Sequence, residues 1–368
     1  MSEKNVLLLC HGYDSPFLSV ALQYKDFFQN TGYRVITVFL KGDKQSEVEE
    51  RIENDVHFLN LTVKERLGLK MKAIGAILDL HKKYSFEFCI AHRYKAIYVA
   101  CHLNIPVLGV CHIDSVFKRY LRRLFVYKHK KLTLCGVSQA IRDDIKKSLP
   151  KFPDNKVLYL YNSLDFDMIK SEFYSAEESR RALGLDKDKF IFANIGRLHE
   201  DKDQDTLIRG FARAKKSMPN AQLVIAGSGR LKRELEYLIK ELELEGSVIL
   251  LGHVTDAYKY MRGFDSFVLS SIREGLPVAL LEAFAAELPC CVSRCNGSRE
   301  AIRGIGYSFE IGNVEELSDS LKKIYSLSSE EQIALKSAME EKVNKNFSIQ
   351  AVTNDFWNLP FFKEHILN

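Results

Sequence analysis

The chain has 368 residues, of which 46% are hydrophobic and 27% charged, and its formal net charge is +5. This is too long for one ordinary domain and too apolar for a disordered chain, so two globular domains with their own cores are expected. No run reaches the roughly 18 apolar residues that a membrane-spanning helix needs. The apolar stretch at 6–10 is too short for a signal-peptide core and is followed by His11-Gly12, which points to a cytoplasmic protein.

The first half alternates between two periodicities. Apolar, β-branched or aromatic runs of strand length occur at 6–10, 34–40, 87–91, 106–111, 132–137 and 157–160. Helical patterns lie between most of them, at about 15–30, 63–81, 94–102 and 138–148. Such alternation implies a parallel sheet covered by helices on both faces. Residues 1–165 carry 26 Lys and Arg against 17 Asp and Glu, whereas the remainder carries 27 against 31, so the first half suits an anionic partner. Its most basic piece holds Lys118, Arg119, Arg122, Arg123, Lys128, Lys130 and Lys131 with no acid, interleaved with Leu121, Leu124, Phe125 and Tyr127. That pattern reads either as a solvated helix face or as a patch for an anionic membrane surface or acidic acceptor. No recognition motif for nucleic acid accompanies it.

The alternation then begins again. Strand-like runs at 190–195, 222–226, 248–251, 266–270 and 290–293 are separated by helical patterns at about 203–218, 231–244, 255–264, 277–287 and 314–325. The economical reading is α/β, with two doubly wound Rossmann-like domains facing across a cleft, since ligands of such sheets bind at the carboxyl ends of the strands. The expected domains are 1–165 and 166–346, joined near Asn162-Ser163-Leu164-Asp165, with 347–368 packing back across the junction. Of the eight cysteines, Cys10, Cys89, Cys101, Cys111 and Cys135 sit in apolar runs as small hydrophobes. Cys290, Cys291 and Cys295 lack metal-ligand spacing.

Three strand-end loops of the second half carry chemistry. Gly196-Arg197-Leu198-His199-Glu200-Asp201-Lys202 sets two cations at a strand end, with Asp203 or Asp205 opening the next helix, an arrangement suited to a diphosphate. Ala226-Gly227-Ser228-Gly229-Arg230 lacks the third glycine of a dinucleotide fingerprint and the Lys-Ser/Thr of a P-loop; it reads equally as close approach to a ligand or as a tight turn. The third loop runs from Arg273-Glu274-Gly275-Leu276-Pro277 into a helix containing Glu282. Pro277 suits the first helical position, and the N–H groups of Gly275 and Leu276 at the helix entrance suit an anion. Glu282, a turn and a half in, leans back toward that entrance. Two carboxylates flanking an anion cradle fit a molecule with hydroxyls at both ends of a diphosphate. An exposed helix glutamate is the plainer reading of Glu282 taken alone.

Glu274 to Glu282 resembles the Glu-x7-Glu motif of retaining, GT-B-fold glycosyltransferases of the family-4 type. Gly196-Arg197-Leu198 with Lys202, Leu223-Val224-Ile225-Ala226-Gly227-Ser228-Gly229, Leu251-Gly252-His253-Val254, Val137-Ser138-Gln139 and Tyr161-Asn162-Ser163-Leu164-Asp165 resemble further family segments in the family's order. The resemblance covers residues 135–300; the N-terminal third matches in pattern only. It implies that Arg197 and Lys202 bind the donor diphosphate beside Gly196 and Gly227. Glu282 is implied to hold the ribose hydroxyls, Glu274 to contact the hexose with the N–H groups of Gly275 and Leu276 before Pro277, and Val254 to contact the base. His112 of Gly109-Val110-Cys111-His112-Ile113-Asp114 matches the family's histidine facing the donor sugar, with Asp114 and His92 as further candidates. The family often has Gly-Gly after its first strand; this chain has Cys10-His11-Gly12-Tyr13-Asp14-Ser15-Pro16, a loop expected to shape the acceptor pocket instead.

The resemblance therefore implies a retaining hexosyltransferase that uses a nucleotide-diphosphate sugar, UDP-sugar favoured, and a glycan or lipid-linked acceptor. Cell-envelope polysaccharide or lipopolysaccharide synthesis is the expected setting, with peripheral contact at an anionic membrane. No permanent cofactor and no metal are expected, because no Asp-x-Asp lies at a strand end; Asp165-Phe166-Asp167 falls in the junction. The alternatives are an epimerase or phosphorylase on the same fold, or a non-catalytic binding partner. A dehydrogenase is disfavoured by the missing Gly-x-Gly-x-x-Gly.

Overall fold

The computed structural model describes residues 4–13, 17–53 and 55–366. Asp14, Ser15 and Pro16, which belong to the first strand-end loop and to the expected start of the first helix, lie outside the described residues. The chain divides into two compact units, Met1–Asn162 with Val352–Asn368, and Ser163–Ala351.

The first unit contains a parallel sheet of β1 (Lys4–Cys10), β2 (Tyr33–Phe39), β3 (Val56–Phe58), β4 (Phe88–His92), β5 (Val107–Cys111), β6 (Leu132–Gly136) and β7 (Val157–Tyr159). Their order is β3-β2-β1-β4-β5-β6-β7, so the direction of winding reverses between β1 and β4. β4, β5 and β6 are buried along their whole lengths, as strands covered by helices on both faces must be. The helix Gln139–Ser148 starts where Ser138 accepts the Ile141 N–H at 3.3 Å, a side-chain cap for one of the donors that a helix start leaves over.

The second unit repeats the plan with β8 (Phe190–Ile195), β9 (Ala221–Ala226), β10 (Val248–Gly252), β11 (Ser266–Leu269), β12 (Cys290–Ser293) and β13 (Tyr307–Phe309). All pairings are parallel, and the order β10-β9-β8-β11-β12-β13 reverses between β8 and β11. Phe192, Phe211, Leu207, Leu223, Leu317 and Leu321 lie at the centre of its core.

Several expectations are corrected. The helix read at 63–81 is Met71–Tyr84 only. Gly68 and Lys70 adopt φ of 55°, which ends any helical run, and 62–70 is a chain of turns. The pattern at 255–264 forms a 3-10 helix over Ala257–Gly263, entered through Asp256 at φ 48°. Pro277 stands one place before the helix Val278–Ala285, as its N-cap residue. Sequence reading passes over the three-residue edge strands β3 and β13, although it marks β7, of the same length, at 157–160. The basic segment folds as the helix Tyr120–Lys128. All eight cysteines are free thiols, and seven are buried.

From Val352 on, the closing segment belongs to the first unit, whereas 347–351 belong to the second. Phe356 is fully buried, with ring centroids 4.8 Å from Phe27, 5.6 Å from Phe28 and 4.6 Å from Phe362. Trp357 Nε1 donates to the Phe27 carbonyl at 2.8 Å. Phe356→Ala should therefore destabilise the first unit by about 3–5 kcal/mol. Urea unfolding followed by the fluorescence of Trp357, the chain's single tryptophan, reads this directly; a midpoint equal to that of the wild type refutes it.

Candidate functional site

In the second unit the loops after β8 and β11 flank the point where strand order reverses, the place where open α/β sheets bind ligands. These are the loops that carry Gly196 to Lys202 and Glu274 to Pro277. They are stitched together by backbone and side chain: the Ile272 N–H donates to the Asp201 carbonyl at 2.9 Å, and Ser270 Oγ donates to the Lys202 carbonyl at 2.8 Å. Lys202 Nζ then donates to Glu274 Oε1 at 2.5 Å, and Ser271 Oγ donates to the same oxygen at 2.7 Å. The two side chains are 22% and 12% exposed, so this is a largely sheltered ion pair. Asp203, at φ 48°, caps the following helix by accepting the Thr206 N–H at 3.4 Å; Asp205 instead pairs with Arg209.

Arg197 sits at the same strand end, exposed, with no ion pair to its guanidinium among the described residues. Its carbonyl accepts from Gln204 Nε2 at 3.0 Å, which fixes the backbone while the side chain stays exposed. The loops after β8 and β9 are pressed together. A Cβ on Gly227 would lie 1.8 Å from the Gly196 carbonyl oxygen, and one on Gly229 would lie 2.1 Å from that of Leu198. Both glycines are therefore required by loop-to-loop contact. The Gly227 N–H donates to Gly252 O at 2.7 Å, which brings the β10 end into the same wall.

Gly275, Leu276 and Pro277 are buried, and the helix Val278–Ala285 begins without a side-chain cap. A Cβ at Gly297 would lie 1.5 Å from the Gly275 carbonyl oxygen, so the loop rests directly on the start of the helix Asn296–Ile302. Glu282 is half-buried and has no hydrogen bond or ion pair to its carboxylate among the described residues. Burial first, and then the negative charge of Asp256, push its pKa up to about 7. A sheltered carboxylate without donors is stabilised by ligand hydroxyls. Asp256 follows half-buried Val254 by two residues, so the expected base-contacting loop and the expected ribose carboxylate share one neighbourhood.

In the first unit His112 follows β5, and its Nε2 lies 2.9 Å from Nδ1 of His92 at the end of β4. Burial, then Arg93, lowers His112 to about 3; His92 is lowered too, chiefly by burial. Both imidazoles are neutral at physiological pH, and one hydrogen bond between them fixes their tautomers relative to each other. His92 Nε2 is buried without a partner among the described residues. Asp165, the first acid of the junction triplet, caps the helix Phe166–Glu172 through the Met168 N–H at 2.9 Å. No group of three His, Cys, Asp or Glu side chains among the described residues is placed to hold a metal ion.

Sequence reading missed Ser271, Asp256 and Gly297. Ser271 and Asp256 carried no signal, because each acts through a partner brought close by folding. Gly297, placed just after a strand-length run, was a readable sign of close backbone approach.

The fold is the GT-B arrangement of two Rossmann-like halves in one chain. It matches the crystal structure of HepE from Anabaena in complex with UDP and glucose, with a TM-score of 0.80 at 16% identity, over 96% of this chain and 98% of that one. Residues 175–342, which hold Arg197, Lys202, Glu274 and Glu282, match the family model described as glycosyl transferases group 1. An uncharacterized glycosyltransferase of Methanocaldococcus jannaschii is 33% identical over 190 residues, 51% of this chain and 47% of that protein. The N-acetylgalactosamine-N,N'-diacetylbacillosaminyl-diphospho-undecaprenol 4-alpha-N-acetylgalactosaminyltransferase of Campylobacter jejuni is 37% identical over 166 residues, 44% of this chain and 42% of that protein. The chain thus spans less than half the length of each of these two relatives.

Glu282 yields a prediction of definite sign. An unfolded glutamate titrates near 4.3, whereas the folded one is raised to about 7. The native state therefore holds the proton more tightly, and stability drains away as pH rises between those values. Glu282→Gln should be more stable than wild type at pH 8, by roughly 1–3 kcal/mol, and equal to it near pH 4. Urea denaturation at both pH values tests this, and a difference independent of pH counts against it.

Proposed function

We propose that the protein is a glycosyltransferase of the retaining, metal-independent kind, taking a hexose from a nucleotide-diphosphate sugar to a hydroxyl of a glycan or lipid-linked acceptor. The observation that carries this is the β8/β11 switch point, where the Lys202–Glu274 pair, the exposed Arg197 and the uncapped helix Val278–Ala285 meet, with donor-starved Glu282 on that helix. A diphosphate suits the cations and the helix start, a diol suits Glu282, and the transferred sugar suits Glu274. The UDP in the HepE complex favours uridine, and the diphospho-undecaprenol in the Campylobacter relative's name favours a lipid-linked acceptor in envelope glycan synthesis.

In this reading the second unit holds the donor. The acceptor oxygen forms its bond to the anomeric carbon on the face from which the diphosphate departs, and the acceptor proton passes to the leaving diphosphate oxygen. Arg197, Lys202 and the helix start stabilise the charge that builds there, which is the work a metal ion does elsewhere. Neutral His112 serves as a hydrogen-bond partner for a sugar hydroxyl. The first unit is the acceptor domain, and the helix Tyr120–Lys128 is its contact with an anionic membrane from the cytoplasmic side. Among the described residues no helix is long and apolar enough to cross a membrane.

Calorimetric titration with UDP, GDP and NAD is the direct test. UDP should bind in the presence of EDTA, and Glu282→Ala should weaken it. In turnover, Arg197→Ala should cost about a hundredfold in kcat, and proton NMR should show the donor's anomeric configuration kept in the product. A folded protein that binds neither UDP nor GDP overturns the reading.

A further inference from the structure

The first unit has a switch point of its own, between β1 and β4. His11 follows β1, Lys41 follows β2, Arg93 and Lys95 follow β4, and Arg66 lies in the turns after β3. Lys70 and Arg122 extend the group: Lys70 Nζ lies 4.5 Å from the Tyr98 ring centroid, and the Arg122 guanidinium 4.4 Å from that of Tyr94. Tyr98 in turn packs 4.6 Å from Phe125 on the helix that carries Arg122. None of Arg66, Lys70, Lys95 and Arg122 has an ion pair with an acid among the described residues; the acid of that stretch, Glu65, is held by Lys72 at 2.7 Å. These charges feel one another. Burial, and then Lys95, Arg93, Arg66 and Lys41, lower His11 to about 4. Lys95 is lowered by burial and then by Arg66, Arg93 and Arg122. His11 Nδ1 is buried with no partner among the described residues. Arg93 holds φ 72°, a strained backbone for arginine, with its guanidinium 3.6 Å from the Phe17 ring centroid.

A second observation comes from the same loops. Of the thirteen large hydrophobic side chains exposed among the described residues, eight lie within 63–71 and 113–124. Leu69 is 69% exposed and Leu121 77%, on the segments that hold Lys70 and Arg122. Like charges gathered at a ligand-binding edge are stabilised by an anion, and exposed apolar side chains beside them by an apolar chain.

We infer that the β1/β4 switch point, through Arg66, Lys95, Arg93 and Lys41, binds the phosphate groups of an amphiphilic phosphate ester, whose apolar chain lies on the exposed side chains of 63–71 and 113–124. Taking this ligand as the sugar acceptor rests on the proposed function; the binding site itself does not. The site defines the acceptor class as a lipid phosphate or diphosphate.

The test is titration of the full chain with farnesyl diphosphate, below its aggregation concentration, and with inorganic pyrophosphate, on wild type, R66Q/K95Q and R197Q. Farnesyl diphosphate should bind wild type and R197Q alike and bind R66Q/K95Q about tenfold or more weakly. R66Q/K95Q should melt no lower than wild type, since it removes mutual repulsion, so lost binding is not lost folding. Equal binding to R66Q/K95Q and wild type overturns the site. Equal affinity of wild type for inorganic pyrophosphate overturns the lipid assignment. UDP is the control: an equal loss of UDP binding in R66Q/K95Q would give these cations to the nucleotide and overturn the inference, whereas UDP failing to bind wild type would sink the donor reading alone.

Discussion

Lys202 and Glu274 come from strands that are neighbours in the sheet but 72 residues apart in the chain, and their 2.5 Å contact spans the place where the second sheet changes its direction of winding. Taking two charges out of water is costly, and the attraction repays that cost only when geometry and further hydrogen bonds are good. Ser271 supplies the further bond to Glu274, and Ser270 and Ile272 hold the two loops in register beneath it. Removing the lysine alone would strand a sheltered carboxylate, and removing the glutamate alone would strand an ammonium. The pair fixes two loops at once, so the positions of Arg197 on one side and of the Gly275-to-Pro277 turn on the other follow from it.

The two switch points solve the same electrostatic problem differently. At β8/β11 the Lys202 ammonium is neutralised from within by Glu274, with the exposed Arg197 in the same loop. At β1/β4 Arg66 and Lys95 have no ion pair with an acid among the described residues, and burial keeps His11 and His112 neutral instead of adding to the charge. One strand edge thus carries an internal ion pair and the other a set of like charges. The second is more sensitive to salt, because exposed charges are screened over about 10 Å at ordinary ionic strength.

Much of the fold was legible because parallel strands covered on both faces read as uninterrupted apolar runs. β8 and β12 stand at the residues the pattern marks, 190–195 and 290–293. The pattern failed where backbone conformation overrode it: apolar residues continue through 63–81, but Gly68 and Lys70 at positive φ split off the first turns. Arg197, Lys202, Glu274 and Glu282 stand where the pattern places them, each in a strand-end loop or on the helix that such a loop opens. What the chain alone did not disclose was pairing. His92 meets His112 only because β4 and β5 align His92 with Val110, two residues before His112. The raised pKa of Glu282 likewise depends on Asp256, which arrives from another strand end.

The contact between Gly275 and Gly297 reaches beyond this molecule to its descent. With the Gly275 carbonyl oxygen 1.5 Å from where a Cβ at 297 would stand, any other amino acid at that position adds an atom with nowhere to go. Drift at position 297 is closed until the loop bearing Glu274 has already shifted. A lineage that replaced Gly297 must therefore have rebuilt its carboxylate loop first, so a side chain at this position in a descendant dates the remodelling of the loop that bears Glu274.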